Sequence, residues 1–273
     1  MKLKQKTVIL GIGAMGSALV KGWISSKMMA PSNIAAVDVD PDKCKKASLQ
    51  LKIKAYTEPA KVLKGAGLVL LAVKPQQMKE LLAQSGPLFP KKALVVSIAA
   101  GITTTQIEES LPQGCPVVRV MPNTPALLGA GMSAIAPGNR AKTAHIKLAL
   151  ALFGSVGRSI QVTEDQMDLV TAVSGSGPAY IFHMVEAMVA AGIKGGLSPE
   201  AASQLVVQTV YGAARMVLES GKTPEELRIQ VTSPGGTTQA ALAVMGEKGF
   251  KETVEAAIEA ATRRGAELRR VSH

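Results

Sequence analysis

A short run of β-branched and apolar residues, Thr7 to Leu10, leads directly into Gly11-Ile12-Gly13-Ala14-Met15-Gly16, and a helical pattern continues from Ala14 to Lys27. This order restricts the possible folds more than any other feature of the chain. A lone GxGxxG is weak because glycines are common. Between a strand and a helix, however, it reads as the first turn of a doubly wound sheet that holds a dinucleotide. Gly11 permits the tight turn, Gly13 lets a pyrophosphate approach the backbone, and Gly16 lets the helix lie close on the sheet. The N–H groups at the start of that helix then face the phosphates. A second strand, Ile34 to Val37, ends at Asp38, roughly twenty residues past the last glycine, where an acidic side chain accepts hydrogen bonds from a ribose.

The alternation of strand and helix continues. Gly67 to Val73, Ala93 to Ile98, Val117 to Met121 and Ser133 to Ala136 read as strands, with helices near Gln76 to Gln84 and Thr104 to Leu111. Ligands of an open α/β sheet lie outside the carboxyl ends of its strands. The loops Ala72-Val73-Lys74-Pro75 and Ala99-Ala100-Gly101 are therefore candidates for cofactor contact, although each also reads as a plain connection. After a strand near Ser159 to Val162 the strand signals stop. From about Asp165 the pattern is helical, broken by Gly175-Ser176-Gly177-Pro178, Gly195-Gly196, Gly221 and Ser233-Pro234-Gly235-Gly236. The expected chain is α/β, with an N-terminal Rossmann-like dinucleotide-binding domain over 1–163 and an all-helical C-terminal domain over 164–273.

Tyr180 to Ile193 and Ala201 to Leu218 carry few charges, so their helices have more apolar surface than one small domain can cover. A symmetric dimer packing helical domains together is expected to bury the excess, with Met167, Met184, Met188 and Met216 filling gaps. The formal net charge of +11 is spread along the chain and aromatic residues make up 3%. That balance speaks for solubility and attraction of small anions, and against a nucleic-acid partner. No stretch reaches the roughly 18 apolar residues of a membrane span, and the N-terminal apolar run is too short for a signal peptide. Cys44 and Cys115 lack CxxC spacing and suit a reduced, cytoplasmic setting. His145, His183 and His273 lack paired ligand spacing, and no metal site is expected.

The other concentrated signal is Val231 to Leu242, VTSPGGTTQAAL, in which Ser233, Thr237 and Thr238 surround a Pro-Gly-Gly turn that opens a helix. A plain helix start uses one hydroxyl as a cap and has no need of three, nor of two adjacent glycines. Free N–H groups beside hydroxyls make a seat for a small carboxylate.

GIGAMG at 11–16, AVKP at 72–75, SIAAG at 97–101, MPNTPAL at 121–127, SGSGPAY at 174–180 and TSPGGTT at 232–238 together resemble pyrroline-5-carboxylate reductase over nearly the whole chain. The resemblance implies reduction of 1-pyrroline-5-carboxylate to L-proline, the last step of proline synthesis, with NADPH or NADH. It also implies a homodimer or a higher ring of dimers. Matched residue by residue, Thr238 corresponds to the hydroxyl at the substrate nitrogen. Ser233, Gly236 and Thr237 correspond to the carboxylate-binding turn, and Ala72, Val73, Lys74, Pro75 and Ala100 to cofactor contacts. Glu164 corresponds to a substrate-contacting acid, and reads equally well as a carboxylate at a helix N-terminus. Asp38 departs from the family pattern, standing where relatives often carry a small hydroxyl residue. A carboxylate there repels a 2′-phosphate, so NADH is the expected preference unless Lys43 or Lys45 offsets the charge. Pro59 and Gln230 replace asparagines of some relatives. Two other readings compete: a 3-hydroxyacid dehydrogenase, whose helix lysine is Ile181 here, and a non-catalytic dinucleotide sensor, for which SPGGTT has no use.

Overall fold

A computed structural model describes residues 2–271, so His273 lies outside the described residues. The chain divides into two compact units, one running from the N-terminus to Ser176 together with the chain from Ala260 onward, the other Gly177–Glu259.

The first unit is built on an eight-stranded sheet of order β3-β2-β1-β4-β5-β6-β7-β8. Its strands are β1 (Thr7–Leu10), β2 (Ile34–Val37), β3 (Lys54–Tyr56), β4 (Leu68–Leu71), β5 (Leu94–Ser97), β6 (Val117–Met121), β7 (Gly131–Pro137) and β8 (Gly157–Gln161). Pairing is parallel throughout except between β6 and β7. The order reverses between β1 and β4, which makes the carboxyl end of β1 the switch point where a doubly wound sheet takes its ligand. The helices joining the strands are α1 (Ala14–Ser25), α2 (Pro41–Leu51), α3 (Ala60–Leu63), α4 (Pro75–Ser85), α5 (Thr104–Glu109) and α6 (Thr143–Gly154).

Alternate strand residues feed two cores, as expected of a parallel sheet covered on both faces. Ile9, Ala36, Leu70, Val96 and Val120 face α1 and α6 through Leu19, Trp23 and Phe153. Val8, Leu10, Val37, Val69 and Val95 face the other side, with Leu63, Met78, Leu82 and Ile107. Trp23 joins two elements distant in sequence, its buried indole N–H donating to the Leu152 carbonyl at 3.0 Å.

The strands lie where the sequence places them, with small shifts at their ends. The helix expected to run to Lys27 stops at Ser25, since Lys27 adopts a positive φ of 57° and turns the chain. β3 carries no pattern of its own and is recognised only by its pairing with β2. After β8 the chain enters α7 (Met167–Val170) and a π-helical turn, Thr171–Gly175, whose wider spacing is sealed by the Ser176 N–H donating to the Thr171 carbonyl at 2.8 Å. The expected domain boundary at Glu164 marks where the sheet ends, whereas the compact units divide at Ser176.

The second unit contains α8 (Gly177–Lys194), α9 (Pro199–Glu219), α10 (Pro224–Gln230), α11 (Thr237–Glu247) and the first part of α12 (Phe250–Val271). Helices α8 and α9 pair, and Gly192 lets them approach, since a Cβ there would sit 3.3 Å from that of Ala202. Among the residues of this unit only Ala202 and Val206 are buried. Phe182, Leu205, Val207, Tyr211, Leu218 and Ile229 are all more than half exposed, at 54–60%. Among the described residues no helix is long and apolar enough to cross a membrane, so these side chains do not face lipid as part of a spanning helix.

An apolar surface this continuous marks an association face. Wild-type protein is expected to sediment above the 28.3 kDa of one chain, and Leu205→Glu to shift it toward the monomer. Monomeric wild-type protein at micromolar concentration would remove the argument.

Candidate active site

The glycine turn is held on three sides. The Gly11 N–H donates to the Val37 carbonyl at 2.8 Å, and the Ala72 N–H donates to the Leu10 carbonyl at 2.7 Å. Gly11 has a φ of +97°, and a Cβ there would lie 2.6 Å from the Ala72 carbonyl oxygen. Only glycine satisfies both the left-handed backbone and this approach. Gly16 is as tightly set, since its Cβ would lie 2.5 Å from the Gly11 carbonyl oxygen. Gly13 differs, for a Cβ on it would meet nothing within 4 Å. The space it leaves is open, as a pyrophosphate lying on the backbone requires.

Gly13 is also the N-cap of α1, without a side-chain cap and without an acidic residue in the first turn. α2 is the contrast: Asp40 caps it by accepting from the Asp42 and Lys43 N–H groups at 2.9 and 3.3 Å. The Lys43 N–H bond leads in holding the Asp40 carboxyl below its ordinary pKa. Helix α1 is thus left with its N–H groups and positive dipole end facing outward, which fits a phosphate-bearing ligand.

Asp38 follows β2 with its side chain 10% exposed. Its Oδ2 accepts the Ile12 N–H at 3.0 Å and its Oδ1 the Asp40 N–H at 3.1 Å, while Lys43 Nζ stands 3.6 Å from Oδ1. The carboxylate is therefore fixed beside the glycine turn with acceptor capacity to spare on both oxygens. At the neighbouring strand ends, the Lys74 N–H donates to Gln77 Oε1 at 3.4 Å as α4 begins. Thr103 and Gln106 form a reciprocal cap on α5, bracketing the Ala99-Ala100-Gly101 loop with β5. The far end of α12 lies against that loop, since a Cβ on Gly101 would be 3.8 Å from the Arg269 nitrogen. Sequence reasoning missed this contact, because nothing local to Arg269 signals a partner so distant along the chain.

In the second unit, Ser233-Pro234-Gly235-Gly236 forms a turn closed by the Gly236 N–H donating to the Ser233 carbonyl at 3.0 Å. Pro234 supplies the fixed φ and Gly235 the positive one, +70°, as a type II turn demands. Gln239 Oε1 accepts the Gly235 N–H at 2.6 Å, and α11 starts on Gly236 with no side-chain cap. The hydroxyls of Ser233, Thr237 and Thr238 make no hydrogen bond among the described residues. Those of Thr209, Thr232 and Thr253, by contrast, each bond a carbonyl four residues back. An uncapped helix start ringed by three unpartnered hydroxyls can bind a carboxylate.

Glu164 is engaged through one of its two oxygens. Its Oε1 accepts from Arg119 Nη1 at 2.7 Å, and the Arg119 side chain is 2% exposed. Neither cysteine is placed for nucleophilic work: Cys44 bonds the Asp38 and Tyr56 carbonyls, and burial pushes the Cys115 thiol up.

Two family models match the chain, one described as pyrroline-5-carboxylate reductase dimerisation over residues 164–268 and one as NADP oxidoreductase, coenzyme F420-dependent, over 6–101. The pyrroline-5-carboxylate reductase of Methanosarcina acetivorans is 40% identical over 264 residues, which cover 97% of this chain and 98% of that protein. The solved pyrroline-5-carboxylate reductase of Coxiella burnetii superposes with a TM-score of 0.91 at 35% identity, covering 97% of this chain and 99% of that one. The Plasmodium falciparum pyrroline carboxylate reductase, solved with NADP bound, gives a TM-score of 0.87 at 29% identity, covering 98% and 100%.

Gly11→Ala tests the dinucleotide seat. The left-handed backbone alone is expected to cost on the order of 1–3 kcal/mol. Thermal unfolding should register this loss of stability, and a fluorescence titration should show NADH binding abolished. Wild-type affinity for NADH in the alanine variant would place the seat elsewhere.

Proposed function

Because the chain belongs to the pyrroline-5-carboxylate reductase family, we infer that it reduces 1-pyrroline-5-carboxylate to L-proline with NADH or NADPH. This is the last step of proline synthesis, and it proceeds in the cytoplasm without nucleic acid or membrane. The chain works as a homodimer or a ring of dimers. The observation that carries the reading is the Ser233–Gly236 turn, an uncapped helix start with three unpartnered hydroxyls, in a chain that also has an uncapped glycine turn for a dinucleotide. When bound, the reduced nicotinamide supplies the hydride for the imine carbon.

The chain's own residues do the rest. Ser233 and Thr237, with the Thr237 N–H that starts α11 beyond Gly236, hold the substrate carboxylate against the positive end of the helix dipole. Thr238 stands one residue further on, where its hydroxyl orients the ring nitrogen and steadies the proton it acquires. Around the cofactor, Gly11, Ile12, Gly13, Ala14, Met15 and Gly16 receive the pyrophosphate. Ala72, Val73, Lys74, Pro75 and Ala100 line the strand ends beyond it. Asp38 binds the adenosine ribose. The Ile12 N–H bond keeps this carboxylate from swinging aside for a 2′-phosphate, and Lys43, 49% exposed, screens it weakly. NADH is therefore the preferred donor.

Mixing the protein with pyrroline-5-carboxylate and NADH, and in parallel NADPH, should consume nicotinamide absorbance, and no turnover with either would overturn the reading. Thr238→Ala should lower kcat by about a hundredfold with NADH affinity unchanged. Unaltered kcat would take Thr238 out of the reaction. Asp38→Ser should move the NADH to NADPH ratio of kcat/KM toward NADPH, and a fixed ratio would refute the repulsion.

A further inference from the structure

We propose that Arg119 is a positioning residue for the reduction: through its buried pair with Glu164 it holds the Met121–Thr124 loop and Ser174–Ser176 together at the ligand edge of the sheet. The inference rests on the reductase reading above.

Arg119 lies within β6, a strand otherwise made of Val117, Val118, Val120 and Met121. Only one prong of its guanidinium is paired, Nη1 to Glu164 Oε1 at 2.7 Å. Arg119 Nη2, Glu164 Oε2 and, on β7, Ser133 Oγ are buried without a partner. If stability were the sole demand, apolar residues would serve this place as well or better, because desolvating two charges consumes most of what their attraction returns. What the pair supplies is geometry.

Strand residues two apart share a face, which sets 119 and 121 together, and Asn123 follows two residues beyond the end of β6. Arg119 holds Glu164. Met121 packs on Gly175, where a Cβ would lie 2.5 Å from Met121 Cε. Asn123 Nδ2 donates to the Ser174 carbonyl at 3.2 Å, and its Oδ1 accepts the Met132 N–H at 2.8 Å. Arg119, Met121 and Asn123 thus each grip residues within 164–175. The gripped segment includes the π-helical turn Thr171–Gly175, a geometry that recurs at functional sites.

The location gives the grip its consequence. Asp38, just past β2, marks the adenosine half of the switch point, so the nicotinamide half lies over the carboxyl ends of β4, β5 and β6. Asn123 and Ser174-Gly175-Ser176 stand at that end of β6. The Asn123 amide is occupied on both sides, so it shapes the edge and does not itself touch substrate. Arg119 roots the assembly from inside the sheet. Without it, 164–175 pivots against β6, and displacement of about 1 Å at a reacting centre costs on the order of a hundredfold in rate.

The test is a set of variants assayed for thermal midpoint, kcat and the KM of each substrate. Arg119→Met leaves the Glu164 carboxylate buried and unpaired, and lowers both midpoint and kcat. Adding Glu164→Gln removes that stranded charge and is expected to restore most of the midpoint while kcat stays down about tenfold or more, with the KM for NADH within about twofold of wild type. Arg119→Lys, which keeps the charge and loses the planar fork, should show the same split. A double variant or a lysine variant with wild-type kcat would overturn the proposal. So would a KM for NADH that rises in step with the loss of kcat. Wild-type turnover bears on the reductase reading alone, and the ratios of variant to wild type bear on Arg119 alone.

Discussion

The bond from the Ile12 N–H to Asp38 Oδ2 joins the carboxyl ends of β1 and β2 where the sheet order reverses, and much else follows from it. Gly11 can hold its positive φ because Val37 accepts its N–H on one side and Ala72 closes over it on the other. With the turn fixed, α1 starts at Gly13 and points its uncapped end outward. The same carboxylate that steadies the turn is the one proposed to meet a ribose. That reading couples the rigidity of the glycine turn to the choice of dinucleotide. A serine at this position could accept a ribose or tolerate a phosphate, but it would brace the glycine turn less firmly, because a hydrogen bond to a charged acceptor is roughly twice as strong as one between neutral groups.

The second unit follows a different logic. The first unit closes its own cores on both faces of the sheet, whereas Gly177–Glu259 leaves nearly every large apolar side chain accessible. A helix pair such as α8 and α9 lacks the burial to offset the entropy of ordering it. Its stability must come from another copy of the chain, in keeping with the match of residues 164–268 to a dimerisation family. The turn proposed to bind a carboxylate is carried on this unit, so association that orders the helices orders it as well.

The elements most legible in the sequence are those whose signal is local. β1, β2 and β6 appear at the limits their apolar runs suggest, since a strand buried on both faces advertises itself by composition. The Pro234-Gly235 turn is legible for the same reason, being dictated by residues that adopt few other conformations. β3 is not, because three residues at a sheet edge, one an exposed lysine, have no pattern of their own. The π-helical turn at Thr171 is concealed by glycines that read as a break. The return of α12 to Asp168, through an Arg269 contact at 3.3 Å, and the Arg119–Glu164 pair join residues far apart in the chain, and only folding brings them together.

Glu164 lies in the first turn of a short helix and is paired with Arg119, so the two readings that the sequence leaves equal do not exclude each other. A substrate amine or hydroxyl hydrogen-bonded to a carboxylate is worth about 1.5–3 kcal/mol. Glu164 need not release Arg119 to make that bond, because the guanidinium takes Oε1 while Oε2 is buried without a partner. No other acidic side chain is paired with Arg119 among the described residues, so the pair and any contact through Oε2 are compatible. In the proposed reading Glu164 acts on the reaction through the residues that Arg119 holds in place, and the turn that opens α11, whose hydroxyls give up no internal partner, carries recognition of the imino acid.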